Sequence, residues 1–353
     1  MIAVPLVGTR SPRTKDIGLY TPGEHHVPRV FFCIEKIPTF ARIMDIVYVL
    51  VSSGRDTLLE QAVLSAESLR KVMPDAFVKV LIDKGTQETL SGARKKLYDV
   101  FDEVLSVDTP GETSNKNRSR QLKTTMYDYM EHDFLYIDSD TLVCEDLSTV
   151  QEDAGDAPIA AVADLHIPLS ASPLNRKIER HSRRCGFHAS FDDIHFNGGF
   201  FFVRKCAVSA EFFRQWNLLW REALEHRVTQ DQASLNEVNW RLGGVIKELD
   251  GSYNCQIRRY GTGLPYLHEA KMIHYFASNR DGCVPYDLSD NALLRHALDE
   301  VRPAELQAIL DKPKSALHKI GYIVADRGVA KMLLWTPLYK WTEEAILKIR
   351  KKN

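Results

Sequence analysis

The sequence predicts an α/β protein on a Rossmann-like, mostly parallel sheet flanked by helices, and three observations predict it. Short apolar runs recur from Ile46 to Ala163. Helix-compatible stretches separate them, and such alternation builds parallel sheets through right-handed crossovers. Two of the runs, Phe134-Leu135-Tyr136-Ile137 and Ile159-Ala160-Ala161-Val162-Ala163, have no polar break. Unbroken apolar runs are typical of parallel strands covered on both faces.

Taken in order, Ile46-Val47-Tyr48-Val49-Leu50-Val51 is the first strand, ending in Ser52-Ser53-Gly54. Thr57 opens a helix with Glu60 as its capping-box partner. Phe77 to Asp83 reads as the second strand, Gln87 to Leu97 as helix, and Glu103-Val104-Leu105 as a short third strand. No GxGxxG follows the first strand, so a dinucleotide fingerprint is absent. The run after Ala163, from His166 to Asp193, reads as a long polar loop rich in Arg and His, a lid or acceptor-binding loop. Its cations point to an anionic acceptor, such as a phosphorylated or lipid-linked saccharide. Ser209 to Leu224 is an amphipathic helix. From Leu288 onward the chain turns helical and polar.

The 353 residues are 44% hydrophobic and 26% charged, the profile of an ordinary soluble chain. A net charge of −1 gives no reason to expect nucleic acid as a partner. Six cysteines lie far apart without a CxxC pair, which points to free thiols in a reducing, cytoplasmic setting. No signal peptide and no membrane-spanning run is recognised. Residues 1–43 read as an irregular extension, with Met44 as an alternative translation start. Residues 44–285 read as the main α/β domain, and 286–353 as a helical extension.

The candidate site begins at Asp138-Ser139-Asp140, where the apolar strand ends. Open α/β sheets bind ligands at the carboxyl ends of their strands, and paired carboxylates there suit a divalent cation. The bland alternative is an acidic turn. Asn115 to Thr125 is a basic cluster at a helix start, the way to hold a diphosphate, chiefly through Arg118 and Lys123. Asn197-Gly198-Gly199 opens an apolar strand where the backbone can approach a ligand closely. Asp231 and Gln232 open a helix, and His274 ends a short apolar run. His274 is the natural third donor beside the two acids.

In this order the motifs IDSD, FNGGFFFVRK, DQASLN and the late His274 resemble those of glycosyltransferase family 8, the group of glycogenin and bacterial lipopolysaccharide galactosyl- and glucosyltransferases. The likeness covers about Ile46 to Phe276. It implies the GT-A fold and a retaining hexosyl transfer from a nucleotide-diphosphate sugar, UDP-linked by expectation, with Mn²⁺ or Mg²⁺. It implies a saccharide, glycolipid or glycoprotein acceptor and a place in cell-surface polysaccharide biosynthesis. By resemblance, Asp138, Asp140 and His274 hold the metal. Leu50, Ser52, Ser53, Arg118, Lys123, Ser139, Asn197 and Gly198 bind the donor. Asp231 and Gln232 are the catalytic pair, with front-face attack favoured because a neutral amide is a poor nucleophile. Three positions depart from the family pattern: Ala233 in the DQASLN box, Leu58 where some members stack a tyrosine on the base, and Ser278-Asn279-Arg280-Asp281-Gly282 in place of a basic Gly-rich segment.

Two rival readings are weighed. A phosphatase using an aspartyl nucleophile at DxDx(T/V) fits poorly, because Leu142 stands where that motif needs Thr or Val. A catalytically silent sugar-nucleotide binder or scaffold is favoured by Ala233 and by the missing basic segment. At the far end, Leu338, Trp341, Ala345, Ile346 and Ile349 form an apolar stripe beside Lys348, Arg350, Lys351 and Lys352. The stripe is either a helix packed on the domain or a peripheral contact with an anionic membrane. Liposome binding lost on deleting 332–353 would support the second; no binding by the intact chain would exclude it.

Overall fold

The computed structural model describes residues 44–111, 114–188, 194–258, 262–276, 288 and 291–316. The expectations placed on residues 1–43, on Arg280 and on the terminal basic helix lie outside the described residues. The strands are β1 (Met44–Leu50), β2 (Val78–Asp83), β3 (Glu103–Val107), β4 (Asp133–Ile137), β5 (Thr141–Val143), β6 (Ile159–Ala163), β7 (Phe196–Val203), β8 (Ile246–Leu249), β9 (Cys255–Gln256) and β10 (Met272–His274). Helices of eight or more residues are α1 (Leu58–Val72), α2 (Asn115–Thr125), α3 (Asn175–Cys185), α4 (Ala207–Glu225), α5 (Gln232–Arg241) and α6 (Ala304–Asp311).

Among the described residues the main sheet has seven strands in the order β3-β2-β1-β4-β7-β6-β8. All neighbours are parallel except β7, which runs antiparallel to β4 and β6. This reversal positions the site: it brings the start of β7 to the edge where β4 and β6 end. A second sheet, β5-β10-β9, grows directly from the end of β4. In it His274 pairs with Thr141 on one side and with Gln256 on the other.

Period-two alternation divides the strand residues between two apolar layers. Tyr48, Leu50, Leu135 and Phe200 pack with Leu59, Ala62, Val63 and Ala66 of α1. Val47, Val49, Phe134, Tyr136 and Phe201 pack with Leu122 of α2 and with Phe213 and Trp216 of α4. Each such fully buried large side chain contributes about 1.5–3 kcal/mol. A third apolar cluster joins Leu142 and Ile273 of the small sheet to Leu64, Leu294, Leu306 and Leu310. The described part of the C-terminal helices therefore rests on α1, where Arg302 also pairs with Glu67 through both guanidinium nitrogens, at 2.5 and 2.7 Å.

Several local expectations are corrected. The capping box does not form: the Thr57 hydroxyl donates to Asn291 Oδ1 at 3.1 Å, and Asp56 Oδ1 instead accepts from Leu58 N–H at 3.1 Å. The helix expected over Gln87–Leu97 is broken, because Ser91 is extended and Gly92 takes φ +55. The pieces are Lys84–Glu88, a 3₁₀ turn Gly92–Lys96, and Leu97–Val100. The polar loop after His166 contains α3, whose buried Ser182 and Cys185 share one face and whose end is capped by left-handed Gly186. Its charged residues lie on the outer faces, and Arg183 is ion-paired with Glu179 at 2.5 Å.

Candidate active site

The site is assembled from strand ends. Asp138 follows β4, and its N–H donates to the Gly199 carbonyl at 3.0 Å, which ties the DSD turn to the NGG start of β7. Asp140 precedes β5, and its carbonyl accepts from Tyr275 N–H at 3.1 Å, which draws His274 alongside. One ligand atom from each of Asp138, Asp140 and His274 lies within 4.8 Å of the others. Gly199 makes room for this cluster. A Cβ there would stand 2.5 Å from His274 Cε1 and 2.9 Å from Asp138 Oδ2.

Asp138 Oδ1 is already engaged. Lys123 Nζ donates to it at 3.1 Å, and the Tyr136 hydroxyl donates to it closely. Burial, reinforced by the Asp138 charge, pushes the Tyr136 phenol well above its ordinary range, so it stays a donor. Asp138 Oδ2 is the oxygen that faces Gly199. His274 Nε2 lies 3.1 Å from Asp140 Oδ1, with Phe276 stacked on the ring at 3.7 Å. Burial alone would raise the Asp140 carboxyl, but the His274 ring, a backbone hydrogen bond and the Lys123 charge together more than offset this, and the carboxyl sits below its usual range.

Asp231, at the head of α5, does not cap the helix with its side chain. Its carboxylate pairs with Arg120 Nε at 3.1 Å and faces Lys123 Nζ at 3.9 Å. The Trp216 indole N–H holds its carbonyl at 3.1 Å. The Asp231 charge outweighs burial and raises the Arg120 guanidinium further. Gln232 Nε2 donates to the Phe196 carbonyl at 3.2 Å, at the base of β7. Gly198 lies against Lys123: a Cβ there would be 3.3 Å from Nζ. Asp138, Asp140 and Asp231 thus face Lys123, Arg120 and the His274 ring.

The predicted residues divide into groups. Asp138, Asp140, His274, Lys123, Asp231, Gln232, Asn197 and Gly198 come together, with Ser139 half-buried between the two acids. Ser52 and Ser53 form a separate turn, both hydroxyls bonded to Asp56 at 2.7 and 2.8 Å. Leu50 is buried in the α1 layer. Arg118 turns away to Asp83, at 2.6 Å, where the ends of β2 and β3 border a hollow of about 400 Å³. The basic cluster is therefore not one clamp, because helix geometry sends residues 118 and 123 to different strand ends. The sequence reading missed Arg120, Tyr136, Asp164 and Asn254. Arg120 stood in the basic run, whereas the other three carried no local signal.

Beside the site, at the ends of β6 and β8, lies a pocket of about 280 Å³ bordered by His166, Glu248, Asp250, Gly251 and Tyr266. Leu165 and His166 hold positive φ of 56 and 57, a strained conformation for such residues. Gln256 secures them, donating its N–H to His166 Nε2 at 3.1 Å and accepting Leu165 N–H at 2.9 Å. Burial pulls the His166 imidazole down to about 3, with Asp250 opposing it.

The residues fit a divalent cation. Two carboxylates and an imidazole converge beside a glycine whose side chain would fill the gap.

A search of curated proteins finds no match. Among solved structures, the bifunctional glycosyltransferase WbbM aligns with 17% identity over 79% of this chain and 53% of its own, with a TM-score of 0.50. The galactosyltransferase LgtC, solved with donor and acceptor sugar analogues, aligns with 16% identity over 75% and 99%, at 0.46. GlyE of Streptococcus pneumoniae aligns with 18% identity over 78% and 65%, at 0.46. At 17% identity the likeness to WbbM speaks for the fold alone, which is GT-A. The family model described as "Glycosyl transferase family 8" matches residues 45–280, and the chain therefore belongs to that family and is a glycosyltransferase.

Proposed function

We propose that the chain moves a hexose from a nucleotide-diphosphate sugar, by expectation UDP-linked, to a saccharide or glycolipid acceptor with retention at the anomeric carbon, and that it depends on a divalent cation. The convergence of Asp138, Asp140 and His274 carries this reading. These three residues would hold Mn²⁺ or Mg²⁺, the imidazole favouring Mn²⁺. When bound, the ion supplies charge for the departing diphosphate, worth several kcal/mol.

The chain's own residues do the rest. Lys123, buried between Asp138 and Asp231, offers a fixed positive charge at the place proposed for the phosphates. Asn197, Gly198, Ser139 and Gln232 would line the donor sugar, while Ser52, Ser53 and Arg118 would border the nucleoside and Leu50, buried in the α1 layer, would support that strand end. Asp231 is held by Arg120 and Lys123, so its carboxylate is spoken for as an ion-pair partner and is a poor attacking group. This supports front-face attack, with Asp231 and Gln232 orienting the sugar and the departing diphosphate taking the acceptor's proton.

The pocket at His166 suits the acceptor. Glu248 and Asp250 accept from hydroxyls, and the Tyr266 ring offers a flat apolar face. Two carboxylates there favour a neutral sugar unit over the anionic acceptor expected from the Arg-rich stretch. A cytoplasmic site of action with peripheral membrane contact belongs to the same proposal. No helix among the described residues is long and apolar enough to cross a membrane.

The first test is thermal shift against nucleoside diphosphates and nucleotide sugars, with and without Mn²⁺. Stabilisation by one nucleotide only with metal, lost in Asp138→Ala, is the expected result. A folded sample that responds to none would favour the silent-scaffold alternative.

A further inference from the structure

Asn254 lies behind His274, and the direction of each hydrogen bond between them can be read atom by atom. The backbone N–H of Gly199 is a donor that no side-chain flip can reverse, and it meets Asn197 Oδ1 at 2.9 Å. Asn197 Oδ1 is thus an acceptor, and its amide Nδ2 turns to the Asp164 carboxylate at 2.9 Å. Whatever Asn254 presents to that same oxygen must be a donor, so its Nδ2 is the atom 3.0 Å away. Asn254 Oδ1 is then left facing His274 Nδ1, at 3.1 Å. A carbonyl oxygen only accepts, so Nδ1 carries a proton.

The opposite nitrogen, Nε2, faces Asp140 Oδ1 in the cluster of carboxylates. Asn197, Asn254 and His274 are all buried, so a reversed amide anywhere in the chain would leave buried groups unmet. The backbone of β7 thereby fixes Nδ1 as a donor, through Asn197 and Asn254, and leaves Nε2 as the nitrogen turned to the carboxylates.

We propose that Asn254 is a positioning residue that pins the proton of His274 on Nδ1 and so reserves Nε2 for the cation. The inference rests on the metal reading given above, but its test is separable from that reading. Outer partners that orient a ligating histidine typically change metal affinity about 10- to 100-fold when removed.

The experiment uses the full chain labelled with ¹⁵N-histidine and freed of metal, with the His274 ring assigned by its loss in His274→Gln. The expected spectrum has a protonated Nδ1, whether the ring is neutral or cationic. A bare Nδ1 with the proton on Nε2 overturns the proposal. Calorimetric titration with Mn²⁺ is the second arm. Asn254→Leu, similar in size but without polar atoms, should bind Mn²⁺ about 10- to 100-fold more weakly. Unchanged affinity in a variant with the wild-type fold by circular dichroism overturns it as well. Should Asn254→Leu fail to fold, the wild-type ring spectrum alone decides. A wild-type chain that takes up no Mn²⁺ yet carries the Nδ1 proton would defeat the metal reading while upholding the relay.

Discussion

Asp138 Oδ1 already receives Lys123 and Tyr136, so replacing Asp138 disturbs two donors as well as a proposed ligand. Asp138→Asn should lower Mn²⁺-dependent turnover by at least about 10²-fold, in line with several kcal/mol of lost charge stabilisation. Lys123→Met should cost about 10²–10³ in kcat through the lost fixed charge, with a smaller change in Mn²⁺ affinity, measured by steady-state kinetics and calorimetry. Gly251 offers a cleaner cut at the acceptor pocket. A Cβ there would stand 2.7 Å from the Tyr266 ring and 2.8 Å from His166 Nδ1. Gly251→Ala should therefore raise the acceptor KM and leave the nucleotide-induced thermal shift in place; an unchanged KM would remove this pocket from the reaction. His166 adds a pH signature. Its folded value, about 3, lies below the free imidazole's 6.5, so the unfolded chain binds the extra proton between them. Stability should fall as pH drops through that window, by up to about 1.4 kcal/mol per pH unit, and denaturation of His166→Phe should show a flatter acid limb.

At the scale of elements, β7 explains how much of the molecule was legible. The strands β1, β2, β3, β4, β6 and β7 were located from their apolar runs, whereas β5, β8, β9 and β10, which are short or broken by polar residues, were not read as strands. Strand direction is not written locally, and the antiparallel setting of β7 is what brings Asn197 and Gly199 to Asp138. Family likeness supplied that juxtaposition, whereas period and composition did not. Helix α3 was hidden because nine of its eleven residues, Asn175 to Cys185, are polar, with Ile178 and Cys185 the exceptions. Asn254 and Asp164 were illegible for a different reason: an amide and an acid in short connecting segments have no period, and only tertiary pairing gives them a role. The capping box failed because a neighbour competed, Asn291 taking the Thr57 hydroxyl.

For the whole molecule, the proposed cation would bridge the large sheet and the small one. Asp138 ends a strand of the large sheet, while His274 belongs to the small sheet, which shares an apolar cluster with the C-terminal helices. Leu306→Ala, in α6, should cost about 2–5 kcal/mol as a buried large-to-small change. It should also weaken Mn²⁺ binding, although the residue touches no ligand, and native affinity in this variant would show that the outer helices do not bear on the site. Hydrogen exchange on adding Mn²⁺ should slow in β9 and β10 more than in β2 and β3. Held this way, the ion is a seam as much as a reagent. Sequence drift in the outer helices would then be felt as altered metal demand, and a homologue could lose its appetite for manganese without a single change among the residues that grip it.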